Sequence, residues 1–344
     1  MSAMKPETTD GLQEEYYQIT PDLLSSFNKY RPPLDLYTFL EDVGRVAPFY
    51  KKGGRLSNEQ VEQLANLVNE GVVFVSRADH PVYVKHMSYQ LDLVLVDKNL
   101  TEREIADIFS EALIRRLEEF FDQPVKAVLD KLWADLLVLT EYLWADIHRI
   151  RALSRRLRTQ HTLANHSFNT GVIGLLLFQR LRAKEFDKDG VKRSHLDRLA
   201  AGLFLHDLGM SKIPAFLREK QKPLTREEKE KVVRHPSVGY EMLAKFDLKY
   251  PEVEDCVLGH HERLNGTGYP QKLAGEKIGF AARLCALADS YCAMISARPH
   301  AGPMEPAAAA AALSGDLGYD QEMARQLQGL VVMSEKKKSA PAKA

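Results

Sequence analysis

The chain has little cysteine, no long apolar run and no surplus of either charge. Its three cysteines, Cys256, Cys285 and Cys292, are an odd, sparse set without CxxC spacing. That argues against a disulfide framework and against a zinc ribbon. No run of about 18 apolar residues occurs, so no membrane span is expected. The 47 basic residues balance 47 acidic ones, leaving no global electrostatic reason to expect a nucleic-acid polymer or a membrane surface as partner. Basic residues cluster only locally, in RIRALSRRLR (149–158) and in the tail EKKKSAPAKA. The N-terminus, MSAMKPETTDGLQEEYY, has neither the basic nor the apolar region of a signal peptide. A reducing cytoplasm is the simplest compartment.

What is present suits an ordinary folded protein. The 344 residues are 45% hydrophobic and 27% charged, a size and composition that fit two domains. The expected fold class is α+β overall: a small N-terminal α+β domain, linking helices, then an all-α helical bundle. Residues 1–20 read as a disordered N-terminus. Residues 21–100 read as the α+β domain, with strands at LDLYTFL, GVVFVS and HPVYVKHM. Ser57-Asn58-Glu59-Gln60 reads as a capping box opening a helix through Val68. Residues 101–158 read as linker helices. Thr101 and Glu104 form a second capping box, and Pro124 interrupts. A long helical pattern over 125–158 then carries Leu129, Leu132, Trp133, Leu136, Leu143, Ile147, Ile150, Leu153 and Leu157 at three- and four-residue steps. The stripe reads as core, or as a seam between two copies. Residues 159–332 read as the helical bundle and 333–344 as a disordered tail.

Chemistry concentrates in the second half. Five of the eleven histidines, His166, His206, His235, His260 and His261, end or interrupt helical stretches there, and Asp207 and Asp289 share that context. Imidazole and carboxylate suit first-row divalent metals, and a helical bundle can aim such side chains inward. Adjacent residues differ by about 100° around a helix, so His206-Asp207 and His260-His261 can reach two neighbouring ions. Seven such ligands exceed what one ion needs and suggest two. His80, His86, His148, His161, His195 and His300 read as surface or structural, with His161 able to border the site.

Residues 160–330 resemble the HD-GYP phosphodiesterases, a branch of the HD superfamily of metal-dependent phosphohydrolases. The likeness rests on His166-Ser167, His206-Asp207-Leu208-Gly209 with Ile213-Pro214, and Lys222-Pro223-Leu224-Thr225. It continues through His235-Pro236 with Gly239, His260-His261-Glu262 with Gly268-Tyr269-Pro270, Ala282-Arg283, Ala288-Asp289 and Arg298-Pro299. The resemblance implies hydrolysis of cyclic di-GMP, or of a related cyclic dinucleotide such as cyclic GMP-AMP, by a hydroxide held between two ions. Linear pGpG and GMP are the implied products, and iron or manganese the implied metals. The implied ligands are His166, His206, Asp207, His235, His260, His261 and Asp289, with Asp207 bridging. Arg298 would bind phosphate, and the loop through Gly266, Gly268, Tyr269 and Pro270 would meet the substrate. The expected partners are a second copy through the amphipathic linker helix and a GGDEF or other signalling protein; the N-terminal 150 residues fall outside the resemblance and are expected to form a sensory or regulatory module.

The chain departs from the family in places. Met210 stands where the family has a lysine, and Lys212, two residues on, is the candidate to replace it. Cys292 and His300 replace an aspartate and an aromatic. Thr162 stands where some relatives carry a glutamate for a third metal, which favours two ions. The alternative reading is a catalytically weak domain acting as a cyclic-dinucleotide receptor or protein-interaction module.

Overall fold

The computed structural model describes residues 15–40, 44–79, 82, 91–96, 100–186, 192–298 and 301–339. The chain divides into two compact units, Met1–Ala112 and Leu113–Ala344. It is mostly helical, with one small antiparallel sheet among the described residues.

In the first unit, β1 (Tyr16–Gln18) leads into α1 (Pro21–Ser26), then β2 (Leu36–Leu40), β3 (Arg45–Tyr50), α2 (Asn58–Asn69) and β4 (Val73–Ser76). The sheet order is β1-β4-β2-β3. Tyr17 pairs with Val75, and Thr38 pairs with both Val73 and Ala47. Pro48 lies in β3, an edge strand, where its missing N–H leaves no central ladder broken. Tyr17, Leu36, Val73 and Val75 are fully buried on the covered face, with Leu64 and Val68 of α2 also in the core. The Ser57–Gln60 capping box forms in both directions. Residues 15–20, expected to be disordered, are ordered instead: β1 is paired along its length, and the Thr20 hydroxyl caps α1 by accepting from Leu23 N. The HPVYVKHM segment lies outside the described residues, apart from Val82.

A longer helix, α3 (Glu102–Asp122), begins at the Thr101–Glu104 box, where Thr101 N donates to Glu104 Oε2 at 2.9 Å. The division between the units falls within it. The second unit continues with α4 (Lys126–Ala145). The helical pattern expected over 125–158 does not run unbroken. Asp146 is extended (φ −155°, ψ 102°) and turns its carboxylate onto His148 N at 2.9 Å, restarting the chain in short turns to Arg156. The stripe Leu129, Leu132, Leu136 and Leu143 is buried within the chain.

The bundle that follows is α5 (Leu163–Phe186), α6 (Arg193–Leu205), α7 (Arg226–Val232), α8 (His235–Ala244), α9 (Pro251–Gly259), α10 (Phe280–Ile295), α11 (Pro306–Ser314) and α12 (Gln321–Ser339). Helix α10 packs on α5 and α9, and α6 packs on α5, α9 and α4. Phe168, Phe178, Phe204, Leu199, Val257 and Leu287 make a dry centre. Residues 333–339, expected in a disordered tail, extend α12 by about two turns. No described helix is long and apolar enough to cross a membrane.

Candidate metal centre and substrate loop

Helix ends converge on one place. His166 lies in the first turn of α5, and His206-Asp207 follow the last residue of α6. His235 opens α8, separated from the end of α7 by two residues, His260-His261 follow α9, and Asp289 projects from the middle of α10. His166, His206, His235 and His260 are at most 2% exposed, and Asp289 is 6% exposed. Close backbone approach makes this possible: a Cβ at Gly209 would lie 1.9 Å from the His235 carbonyl oxygen. Glycine there lets the turn Leu208–Lys212 lie against the start of α8 and sets Asp207 beside His235.

The ligand atoms fall into two groups. Asp207, His235, His260 and His261 form one, and His166, His206 and Asp289 form the other; within each, the candidate atoms lie within 4.8 Å of one another. Asp207 faces both groups. Its Oδ1 lies 3.1 Å from His235 Nε2 and 3.6 Å from His260 Nε2, while Oδ2 lies 3.7 Å from His166 Nε2 and 3.8 Å from His206 Nε2. Asp289 Oδ1 lies 2.8 Å from His166 Nε2.

The donor set fits a cation. The Nδ1 atoms of His206, His235 and His260 lie against backbone carbonyls, which only accept, so each Nδ1 carries the proton. Their Nε2 atoms are then lone pairs in the neutral ring. Those of His235 and His260 face each other at 3.0 Å, a contact that needs a proton or a cation between them. His206 Nε2 is buried with no hydrogen-bond partner at all. The electrostatics agree. Burial alone would raise the Asp207 carboxyl, but the rings of His206, His235 and His260 hold it well below the usual range. Burial pulls His235 down, yet the Asp207 contact prevails and raises it. Burial lowers His206 to about 4 and takes His261 well down too. Asp289 is lowered against its own burial, chiefly by His166.

The loop after His261 folds back onto the ligand pair. Tyr269 N donates to the His261 carbonyl at 3.2 Å, and its ring stacks on His261 with centroids 4.6 Å apart. The Tyr269-Pro270 bond is cis. Burial raises the Tyr269 hydroxyl pKa, keeping it protonated. Gly266 has φ +76°, and a Cβ at Gly268 would lie 2.5 Å from the His261 carbonyl oxygen and Glu262 Cα. Glycine at 268 is thus demanded by the loop's own closure onto the histidines. Arg298 is half-buried, with its Nε unpartnered. Lys212 is exposed at the end of its turn, and Met210 is half-buried.

For two residues the structure adds a role that the sequence reading did not assign. Glu262 is 2% exposed and accepts from Gln271 N at 2.7 Å and Leu273 N at 3.0 Å, pinning the loop that carries Tyr269. A buried acid directly after two histidines was the signal. His161, expected only to border the site, has its ring 5.5 Å from that of His166. His195 pairs with Glu252 and His148 with Gln179, outside both groups. His80, His86 and His300 lie outside the described residues.

Residues 178–323 match the family model of the HD domain, a window that holds six of the seven candidate ligands and leaves out His166. The chain is 42% identical over 97 residues to the cyclic di-GMP phosphodiesterase response regulator RpfG of Xanthomonas campestris, covering 28% of this chain and 26% of that protein. It is 44% identical over 100 residues to the cyclic di-GMP phosphodiesterase PA4108 of Pseudomonas aeruginosa, covering 29% and 24%. A 3'3'-cGAMP-specific phosphodiesterase 2 of Vibrio cholerae is 30% identical over 115 residues, covering 33% and 22%. The chain thus spans about a quarter of the length of these curated relatives. The solved structure of Bd1817, an HDG"Y"P protein from Bdellovibrio bacteriovorus, shares the fold with a TM-score of 0.60 at 17% identity, over 92% of this chain and 99% of that one.

Proposed function

We propose, with an HD domain over residues 178–323 as the premise, that this chain is a metal-dependent phosphodiesterase of cyclic di-GMP. Its products would be linear pGpG and/or GMP. The names of the relatives support the substrate class, and the 3'3'-cGAMP-specific relative keeps cyclic GMP-AMP as a related substrate. The observation that carries the reading is the 3.0 Å contact of His235 Nε2 with His260 Nε2 beside a carboxylate that faces two ligand groups. Such a contact is costly without positive charge, and a phosphodiesterase needs positive charge at that place.

Two divalent transition ions, iron or manganese, would when bound neutralise phosphate oxygens and lower the pKa of water. His235, His260 and His261 would hold one, His166, His206 and Asp289 the other, and Asp207 would be shared. The chain's own residues then orient the substrate. Tyr269, stacked on His261 and kept protonated by burial, can donate its hydroxyl hydrogen to the dinucleotide. Gly266, Gly268 and Pro270 hold the loop that presents it. Arg298 offers guanidinium to a phosphate. Lys212, exposed on the turn after Asp207, takes the charge-stabilising role in place of Met210.

The first unit would be regulatory, with a GGDEF or other signalling protein as a partner. A homodimer through the 125–158 region would use the faces left exposed at Val125 and Trp144, because the leucine stripe is buried within the chain.

The test is hydrolysis of cyclic di-GMP by the full chain, purified without oxygen and supplied with iron(II) or manganese(II), with metal content measured on the same sample. Linear product with about two ions per chain is expected. Full metal occupancy without turnover of any cyclic dinucleotide would overturn the enzyme.

A further inference from the structure

The four most deeply buried histidines of the two groups are not held alike. His206 Nδ1 donates to the Leu203 carbonyl at 2.9 Å, and His235 Nδ1 to the Val232 carbonyl at 2.8 Å. His260 Nδ1 lies 3.0 Å from both the Cys256 and Val257 carbonyls. All three residues directly follow or nearly follow a helix C-terminus, where the last carbonyls have no intrahelical partner and can accept. Each ring is thereby locked in the tautomer that turns an Nε2 lone pair to the cluster.

His166 lacks such a partner. It sits in the first turn of α5, where the free backbone groups are N–H donors, not acceptors. The nearby Thr162 carbonyl already accepts from His166 N at 2.9 Å. As a result His166 Nδ1 is buried and unpartnered, although its Nε2 faces Asp289 as a ligand should. Beside it stands His161, with ring centroids 5.5 Å apart, and His161 Nδ1 is also buried and unpartnered.

The segment bearing His161 is fixed from both sides. Gln160 bridges Ala297, Ala297 N donates to the Thr159 carbonyl at 2.9 Å, and Asn165 Nδ2 donates to the Gln160 carbonyl at 3.0 Å. A neutral imidazole carries one donor and one acceptor, so the orphaned Nδ1 atoms of these two neighbouring rings satisfy each other if the rings turn to bring them together, one donating and the other accepting.

We propose that His161 is the positioning residue for His166: His161 Nδ1 accepts the Nδ1 hydrogen of His166, directly after a small ring rotation or through one water. This fixes the tautomer that leaves His166 Nε2 free for a cation, and it does for the first turn of a helix what backbone carbonyls do at the C-termini. The proposal rests on reading the two groups as a metal centre.

The test compares His161→Ala and His161→Asn with the parent in the full chain. It measures ion content, the affinity of each ion, the KM for cyclic di-GMP, and the visible spectrum of the cobalt(II)-loaded protein. The alanine variant is expected to weaken one ion by roughly 10–100-fold while the other stays tight, and to change the cobalt spectrum. The asparagine variant, which keeps an acceptor, is expected to restore most of both. Parent-like affinities and spectrum in His161→Ala would overturn the proposal alone. Intact ions with only a raised KM would overturn it in favour of direct substrate contact. A parent protein that binds no divalent ion would overturn the metal centre and the proposal with it. Loss of both ions equally, with no rescue by asparagine, would mark His161 as merely structural and also overturn it.

Discussion

Glu104 and Asp207 are both carboxylates set among polar side chains, and they end up in opposite conditions. Glu104, in the first unit, has every oxygen matched: Oε1 takes the Tyr17 hydroxyl and the Arg77 guanidinium, and Oε2 takes the Thr101 N–H and hydroxyl. The Arg77 guanidinium also lies over the Tyr17 ring, 4.3 Å from its centroid. Asp207, in the second unit, sits among rings whose hydrogen bonds do not close. His206 Nε2 has no partner, and His235 and His260 meet lone pair to lone pair unless one carries a proton. Buried polar groups in a finished fold are paired. A cluster that stays short of positive charge is therefore one whose partner comes from outside, whereas the Glu104 cluster holds the fold together by itself.

The sharpest test of that contrast is Asp207→Asn. It removes the charge shared by both ligand groups, so metal content should fall and hydrolysis should drop by more than about 100-fold, beyond the typical loss for an outer hydrogen-bond partner. Normal turnover with full metal in that variant would break the comparison. Glu262 lies between the two cases, since its oxygens are satisfied by loop amides beside the ligands. Glu262→Ala should lower kcat by roughly 10–100-fold while ions stay bound, because it frees the loop bearing Tyr269 and leaves the histidines alone. Metal loss in step with activity would show that Glu262 supports the ligands rather than the loop.

Glu104→Ala should do the converse. It takes away the carboxylate that accepts from the buried Tyr17 hydroxyl and pairs with Arg77, and should destabilise the first unit by about 1–3 kcal/mol, read by urea denaturation, with metal content unchanged. A lost ion in this variant would erase the distinction between the two carboxylates. The smallest effect is expected for Met210→Lys. A lysine there adds cationic character two residues before Lys212, and hydrolysis should rise by up to about tenfold, or ~1.4 kcal/mol of barrier. No gain would mean that Lys212 or Arg298 already supplies that charge.

Much of the molecule was legible residue by residue. The Ser57–Gln60 and Thr101–Glu104 caps were, because both partners lie three positions apart and their chemistry is local. So were the strands at Leu36–Leu40 and Val73–Ser76, through their β-branched and aromatic runs. The seven histidines and aspartates that the structure gathers into two groups were legible as residue types, through their recurrence at breaks in the helical pattern of the second half. The strand Tyr16–Gln18 was hidden in an acidic, polar start, because its stability comes from pairing with residues about sixty positions away. The end of the long helix at Asp146 was missed because the leucine stripe continues beyond it while one carboxylate turns the backbone.

By itself, then, the sequence determined which side chains were available for metal chemistry, and which helices and caps would form from neighbours three or four residues apart. Only the tertiary structure decided how those side chains divide into two groups around Asp207, that Glu262 ties the Tyr269 loop, and that His161 stands beside an unpartnered His166 nitrogen. The physical reason is range. A cap or an amphipathic stripe is settled within one turn of chain, whereas a hydrogen bond left unmade in the interior is visible only when every element that could have satisfied it is in place.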